Sequence, residues 1–187
     1  MKRFYKTTLL FVSLLGISNL SYGTLQGAEA RWTDLHDAAY KGDARTANDL
    51  LTAGANPDPR DNRGCTPLHY AACKGNETIV RVLLNFNADI KAENEYGDTP
   101  LHFACAAKFV GYPEVVKVLL DAGANPDPRD NCGWTPLHCA SYRGYVKIVK
   151  MLLDAGADKY AVDKYGKTPY DLAYRTDSNT ERLRVDF

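Results

Sequence analysis

Apolar residues in this chain come in short bursts with a helical period. In Ile79-Val-Arg-Val-Leu-Leu84, Val115-Val-Lys-Val-Leu-Leu120 and Ile148-Val-Lys-Met-Leu-Leu153 they fall at i, i+3 and i+4, which predicts amphipathic helices with one buried side. Each burst is followed by a small-residue stop, Asn87-Ala-Asp89, Gly123-Ala-Asn125 or Gly156-Ala-Asp158, suited to ending a helix. A second, shorter apolar pattern precedes each burst and always starts at a threonine: Thr33-Asp-Leu-His36, Thr66-Pro-Leu-His69, Thr99-Pro-Leu-His102 and Thr135-Pro-Leu-His138, with a degenerate fifth block at Thr168-Pro-Tyr-Asp171. The blocks are spaced by 33, 33, 36 and 33 residues. One period therefore runs through the chain, with a single three-residue insertion.

Each recurring residue has a physical reason for its place. The threonine hydroxyl can cap a helix, and the proline after it sits in the first turn, where its missing N–H costs nothing. The small pairs Ala38-Ala39, Ala71-Ala72, Ala104-Cys105 and Ala140-Ser141 allow neighbouring helices to approach closely. Asp61-Asn-Arg-Gly64, Asn94-Glu-Tyr-Gly97, Asp130-Asn-Cys-Gly133 and Asp163-Lys-Tyr-Gly166 are predicted tight turns with glycine where φ must be positive. Residues 50–64 and 119–133 are nearly identical, as a duplication of two repeats would leave them.

These motifs resemble the ankyrin repeat family, from about Arg31 to Phe187. The resemblance implies an all-α solenoid of stacked helix-turn-helix repeats with projecting β-turns. The expected units are residues 31–65, 66–98, 99–134 with the insertion, 135–167 and a truncated 168–187. The first and last are atypical: Asp34 replaces the proline and Asp171 the histidine, as expected of caps facing water.

The first stretch reads differently. Lys2, Arg3 and Lys6 precede the apolar run Thr7 to Ile17, followed by Ser18 to Gly23. This is the order of a secretory signal, expected to be cleaved after Gly23, or alternatively after Ala30. The run is about half the ~20 residues of a membrane anchor. The whole chain has 23 basic and 23 acidic residues. Cleavage after Gly23 removes three basic residues and leaves a net charge of −3. Neither value carries the basic excess of a nucleic-acid binder, so no nucleic-acid partner is expected, and no membrane partner once the signal is gone.

Candidate chemistry is sparse. All four histidines occupy one repeat position, and residues one repeat apart are offset by ~10 Å, too far for two imidazoles to share an ion at ~2 Å. The reading of the residues is that each His bridges its own turn to the next by hydrogen bonds. No phosphate loop, HExxH or GxSxG is present, so no catalysis, metal or cofactor is expected. Five cysteines lack zinc or redox spacing. Cys105 and Cys139 fall at helix packing positions, Cys73 near a helix end, and Cys65 and Cys132 in turns two repeats apart, beyond disulfide reach. Unpaired thiols in an exported protein point either to a reducing destination such as a host cytosol or to simple tolerance in a periplasm.

The resemblance also implies where a partner protein would sit: the turn tips and the exposed side of the first helices. Carried over by position, that strip comprises Tyr40, Lys41, Arg60, Asn62, Arg63, Lys74, Glu95, Tyr96, Asp98, Arg129, Asn131, Trp134, Tyr142, Arg143, Lys164, Tyr165 and Lys167. Tyr, Trp and Arg are enriched at interface hot spots, and mixed charge suits a protein better than a polyanion. Trp134 stands out against its equivalents Cys65, Asp98 and Lys167, either as a partner contact or as a ring packed over the neighbouring turn. The inserted Ala106-Ala-Lys-Phe-Val-Gly-Tyr-Pro113 has two open placements, an apolar finger over the strip or a cluster tucked onto the stack. The expected function is that of an exported, monomeric, non-catalytic protein-binding module. A scaffold held permanently on an envelope or periplasmic enzyme is the alternative.

Overall fold

The computed structural model describes residues 32–107 and 111–173; the segment expected to act as a signal lies outside them. Helices alternate between two kinds. The first kind comprises α1 (Asp34–Lys41), α3 (Pro67–Lys74), α5 (Pro100–Ala106), α7 (Pro136–Arg143) and α9 (Pro169–Ala173). The second comprises α2 (Ala44–Thr52), α4 (Glu77–Asn85), α6 (Pro113–Asp121) and α8 (Val146–Asp154). Contacts run α1–α3–α5–α7–α9 and α2–α4–α6–α8, so the two kinds form two adjacent layers. No strand occurs among the described residues.

The buried side of each helix is the one its apolar spacing predicts. Leu35, Leu68, Leu101 and Leu137 from the first layer meet Ile79, Leu83, Val115, Leu119, Ile148 and Leu152 from the second, all essentially inaccessible. Ala39, Ala72, Cys105 and Ser141 are buried at the closest approach of the first helices. The Ser141 hydroxyl is the one buried side-chain polar atom without a hydrogen-bond partner among the described residues.

The first helices begin on a capping box in which histidine replaces the usual acid. Thr33, Thr66, Thr99 and Thr135 adopt extended backbone. Their N–H groups donate to Nδ1 of His36, His69, His102 and His138 at 3.1–3.2 Å. The opposite ring nitrogen of each His lies 3.0–3.1 Å from a carbonyl of the next turn: Cys65, Asp98, Trp134 and Lys167 respectively. A carbonyl only accepts, so Nε2 carries the proton and Nδ1 accepts. The neutral ring is the form that satisfies both ends. Asp171 reproduces the capping half of this device, receiving the Thr168 N–H and hydroxyl at 2.9 Å, but its carboxylate has no donor with which to bridge to a carbonyl.

Two more sets of bonds tie successive turns. Backbone N–H groups of Glu95, Asn131 and Lys164 donate to the carbonyls of Arg63, Tyr96 and Cys132 at 2.8–3.0 Å. Each turn tip is thus fastened to the one before it. The duplicated segments add a clamp: Asp58 and Asp127 receive the amides of Asp89 and Asp158 at 3.0 Å, while Arg60 and Arg129 donate to the carbonyls of Glu93 and Val162. Between the two clamped junctions, Lys91 and Glu93 replace that Asp and Arg, and no such clamp forms among the described residues. A cleft of about 400 Å³ opens there, lined by Ile90, Lys91, Glu93, Ala124, Asn125 and Pro128.

The insertion follows α5, which ends on Ala107 without the left-handed glycine that closes α1, α3 and α7. Its described part lies against the stack. The Tyr112 ring fits so closely over Gly75, itself at φ 71°, that a Cβ there would collide with it. The Tyr145 hydroxyl donates to the Ala107 carbonyl at 2.5 Å. Phe109 and Val110, the remaining apolar residues of the finger, lie outside the described residues.

Burial holds all four histidines below their ordinary pKa, His69 at about 4. Because the folded value lies below the unfolded one, the unfolded chain takes up the proton first. The stabilisation is complete above pH 6.5, falls as pH drops from 6.5 towards 4, and changes no further below that. A histidine titrating at about 4 contributes roughly 3 kcal/mol over this window. Urea unfolding midpoints should therefore fall steeply between pH 7 and 4.5, and His69→Ala should flatten that dependence while lowering stability at pH 7. Ser141→Ala removes a buried hydroxyl with no partner and should raise stability by about 1 kcal/mol in the same assay.

Candidate functional site

Most residues proposed for the strip are exposed: Tyr40, Lys41, Arg60, Asn62, Arg63, Lys74, Glu95, Tyr96, Arg129, Asn131, Tyr142, Arg143, Lys164, Tyr165 and Lys167. Asp98 and Trp134 are half-buried. Two alignments of position bring the exposed residues together. Arg63, Tyr96, Cys132 and Tyr165 occupy one position of successive turn tips, and Tyr40–Lys41 and Tyr142–Arg143 one position at the ends of first helices.

Several polar members already have intramolecular partners. Arg60 and Arg129 belong to the clamps described above. The Asn131 amide donates to the Glu95 carbonyl at 3.0 Å. Arg63 donates to the Tyr70 hydroxyl at 2.7 Å, and that hydroxyl donates to Asp61. Lys74 places its ammonium 3.9 Å from the centre of the Tyr40 ring. Asp98 sits in its own turn beside the Asn94 amide at 3.4 Å. Burial pushes its carboxyl up, with the nearby Asp130 adding to the rise and His102 opposing it. These residues hold the surface in shape.

Trp134 does part of the same work. Its indole N–H donates to Asp163 in the next turn at 3.2 Å, and its ring lies 5.6 Å from Tyr142 and 6.3 Å from His138. Burial would raise the Asp163 carboxyl, but the amides of Lys167 and Tyr165 and the indole hold it below the usual range. Trp134 is also not alone at its position. Trp32 directly precedes Thr33 as Trp134 precedes Thr135. It stacks on His36 at 5.2 Å and meets Tyr40 at 6.2 Å and Tyr70 at 4.8 Å. The comparison with Cys65, Asp98 and Lys167 alone missed this. The shared eight-residue spacing Trp32…Tyr40 and Trp134…Tyr142 was the signal that would have found it.

Three exposed apolar residues were not singled out from sequence: Tyr160 at 74% exposure, Val162 and Tyr170. Tyr160 and Val162 replace the clamp residues Asp and Arg of the duplicated segments, so register alone marks them as departures from the repeat.

The described residues contain no group of three or more His, Cys, Asp or Glu placed to hold a metal ion. They include no helix long and apolar enough to cross a membrane. The chemistry on offer is a surface of phenol rings, ammonium and guanidinium groups on tips braced by backbone bonds.

A family model for ankyrin repeats, in a three-copy form, matches residues 35–130 and again residues 105–183. The chain belongs to the ankyrin repeat family. Its helical layers and recurring caps are those of an all-α repeat solenoid, and ankyrin repeats are in general protein–protein interaction modules.

Within this ankyrin stack, Trp134 and Tyr142 have separable roles. Trp134→Ala should cost about 2 kcal/mol of stability through lost ring packing and the Asp163 hydrogen bond, while Tyr142→Ala should cost well under 1 kcal/mol. Chemical denaturation of the two variants checks this, and equal costs would contradict the assignment.

Proposed function

We propose that this ankyrin repeat protein is an exported, non-catalytic binding module that holds a folded partner protein on its turn tips and first-helix ends. In this reading residues 1–23 are a signal peptide removed on export. The mature monomer stacks five repeats, 31–65, 66–98, 99–134, 135–167 and 168–187, whose outer two serve as caps. The basic start and short apolar run of the N-terminus support export. The absence from the sequence of a phosphate loop, HExxH or GxSxG supports a role without catalysis.

The observation that carries the binding reading is the exposure of Tyr96, Tyr142 and Tyr165, at 55%, 43% and 74%. Tyr96 and Tyr165 stand on turn tips whose backbone is fastened to neighbouring tips, and Tyr142 stands at the end of α7. A tyrosine offers a large apolar face and a polar tip with few rotatable bonds, so ordering it on binding costs little. Arg143 and Lys164 beside these rings add positive charge suited to an acidic rim on the partner.

Capture with the mature protein as bait, followed by titration of the recovered partner, tests this. Alanine at Tyr96, Tyr142 or Tyr165 should each weaken binding by about 1–2 kcal/mol with unchanged helical content. A triple variant that binds as tightly as wild type would overturn the reading.

A further inference from the structure

Of the five cysteines, three are buried, at Cys65, Cys105 and Cys139. Burial pushes their thiols up, and does the same to the half-buried Cys73. Cys132 is placed differently. It occupies the tip position where the other turns carry Arg63, Tyr96 and Tyr165, and it is partly open to solvent. Lys164 of the following turn sets its ammonium 3.4 Å from the Cys132 sulfur. The Lys164 N–H donates to the Cys132 carbonyl at 3.0 Å, and the Cys132 N–H donates to Asp130 at 2.7 Å. Both backbones are therefore fixed, and the lysine side chain extends along the rung it already forms.

We propose that Cys132 and Lys164 form an oxidant-triggered covalent staple between two turn tips. The sulfur of Cys132 is partly open to solvent, where a peroxide can reach it. Hydrogen peroxide transfers one oxygen to the sulfur of Cys132, giving a sulfenic acid and one water. The Lys164 amine, as free base, then attacks that sulfur. The S–O bond breaks as the S–N bond forms, and the hydroxyl leaves with one amine hydrogen as a second water. The sulfur has lost two electrons to the peroxide, and the product is a sulfenamide that a thiol reductant reopens. The thiolate that favours the charged lysine is consumed in the first step, which removes that hold on the proton before the second. Cys65, Cys105 and Cys139 are buried, which favours reaction at the tip. The staple would lock the end of the strip at which Lys164 and Tyr165 stand, whatever the partner.

The test is peptide mapping by mass spectrometry of the reduced protein after brief exposure to hydrogen peroxide. The expected result is a joined pair of peptides linked through Cys132 and Lys164, two hydrogens lighter than their sum, lost on treatment with dithiothreitol. Cys132→Ser should abolish it. Lys164→Arg keeps a cation beside the thiol but cannot condense, so Cys132 should remain a sulfenic acid that dimedone captures. Oxidation of Cys73 ahead of Cys132, or the absence of a joined pair in the wild type while Cys132 is oxidised, would overturn the proposal.

Discussion

Each junction among the described residues rests on a neutral imidazole facing two ways. His36, His69, His102 and His138 each accept from the threonine that starts their own helix and approach a carbonyl of the following turn at hydrogen-bond distance. Other side chains can cap a helix, and glutamate does so in the ordinary capping box. A carboxylate, however, cannot donate to a carbonyl. Histidine is the residue that joins an acceptor on one side to a donor on the other across a flat ring. That requirement explains its recurrence at one position, and its burial explains its reluctance to take up a second proton.

The remaining polar bonds divide by turn. The backbone rungs from tip to tip depend only on the shared turn conformation, so they occur wherever two described turns adjoin. The Asp–Arg clamps depend on side chains carried in the duplicated segments, so they close alternate junctions and leave the one between them with Lys91, Glu93 and an open cleft. The near-identical segments thus shape a surface as well as a sequence: they place clamps at alternate junctions among the described residues.

The exposure of the proposed strip was partly legible from the family resemblance carried over by position. The resemblance, carried over by position, put Tyr40, Tyr96, Tyr142 and Tyr165 on the exposed side, where the structure has them. Register did not reveal which of the charged members were already engaged. Arg60, Asn131 and Lys164 reach atoms of neighbouring turns, and such reach depends on the distance between repeats, which no single repeat contains. The same holds for Trp134, whose indole finds its partner 29 residues away.

The sequence by itself determined the helices, their caps, their stops and their period. Each depends on contacts within about one repeat, where spacing along the chain is spacing in the molecule. Tertiary structure decided the pairings across repeats: the thiol that meets an amine at the tips, the glycine that lies under Tyr112, and the junction that stays unclamped. Those outcomes turn on how far one layer of turns stands from the next. That distance is set jointly by the buried alanines and by the histidine bridges.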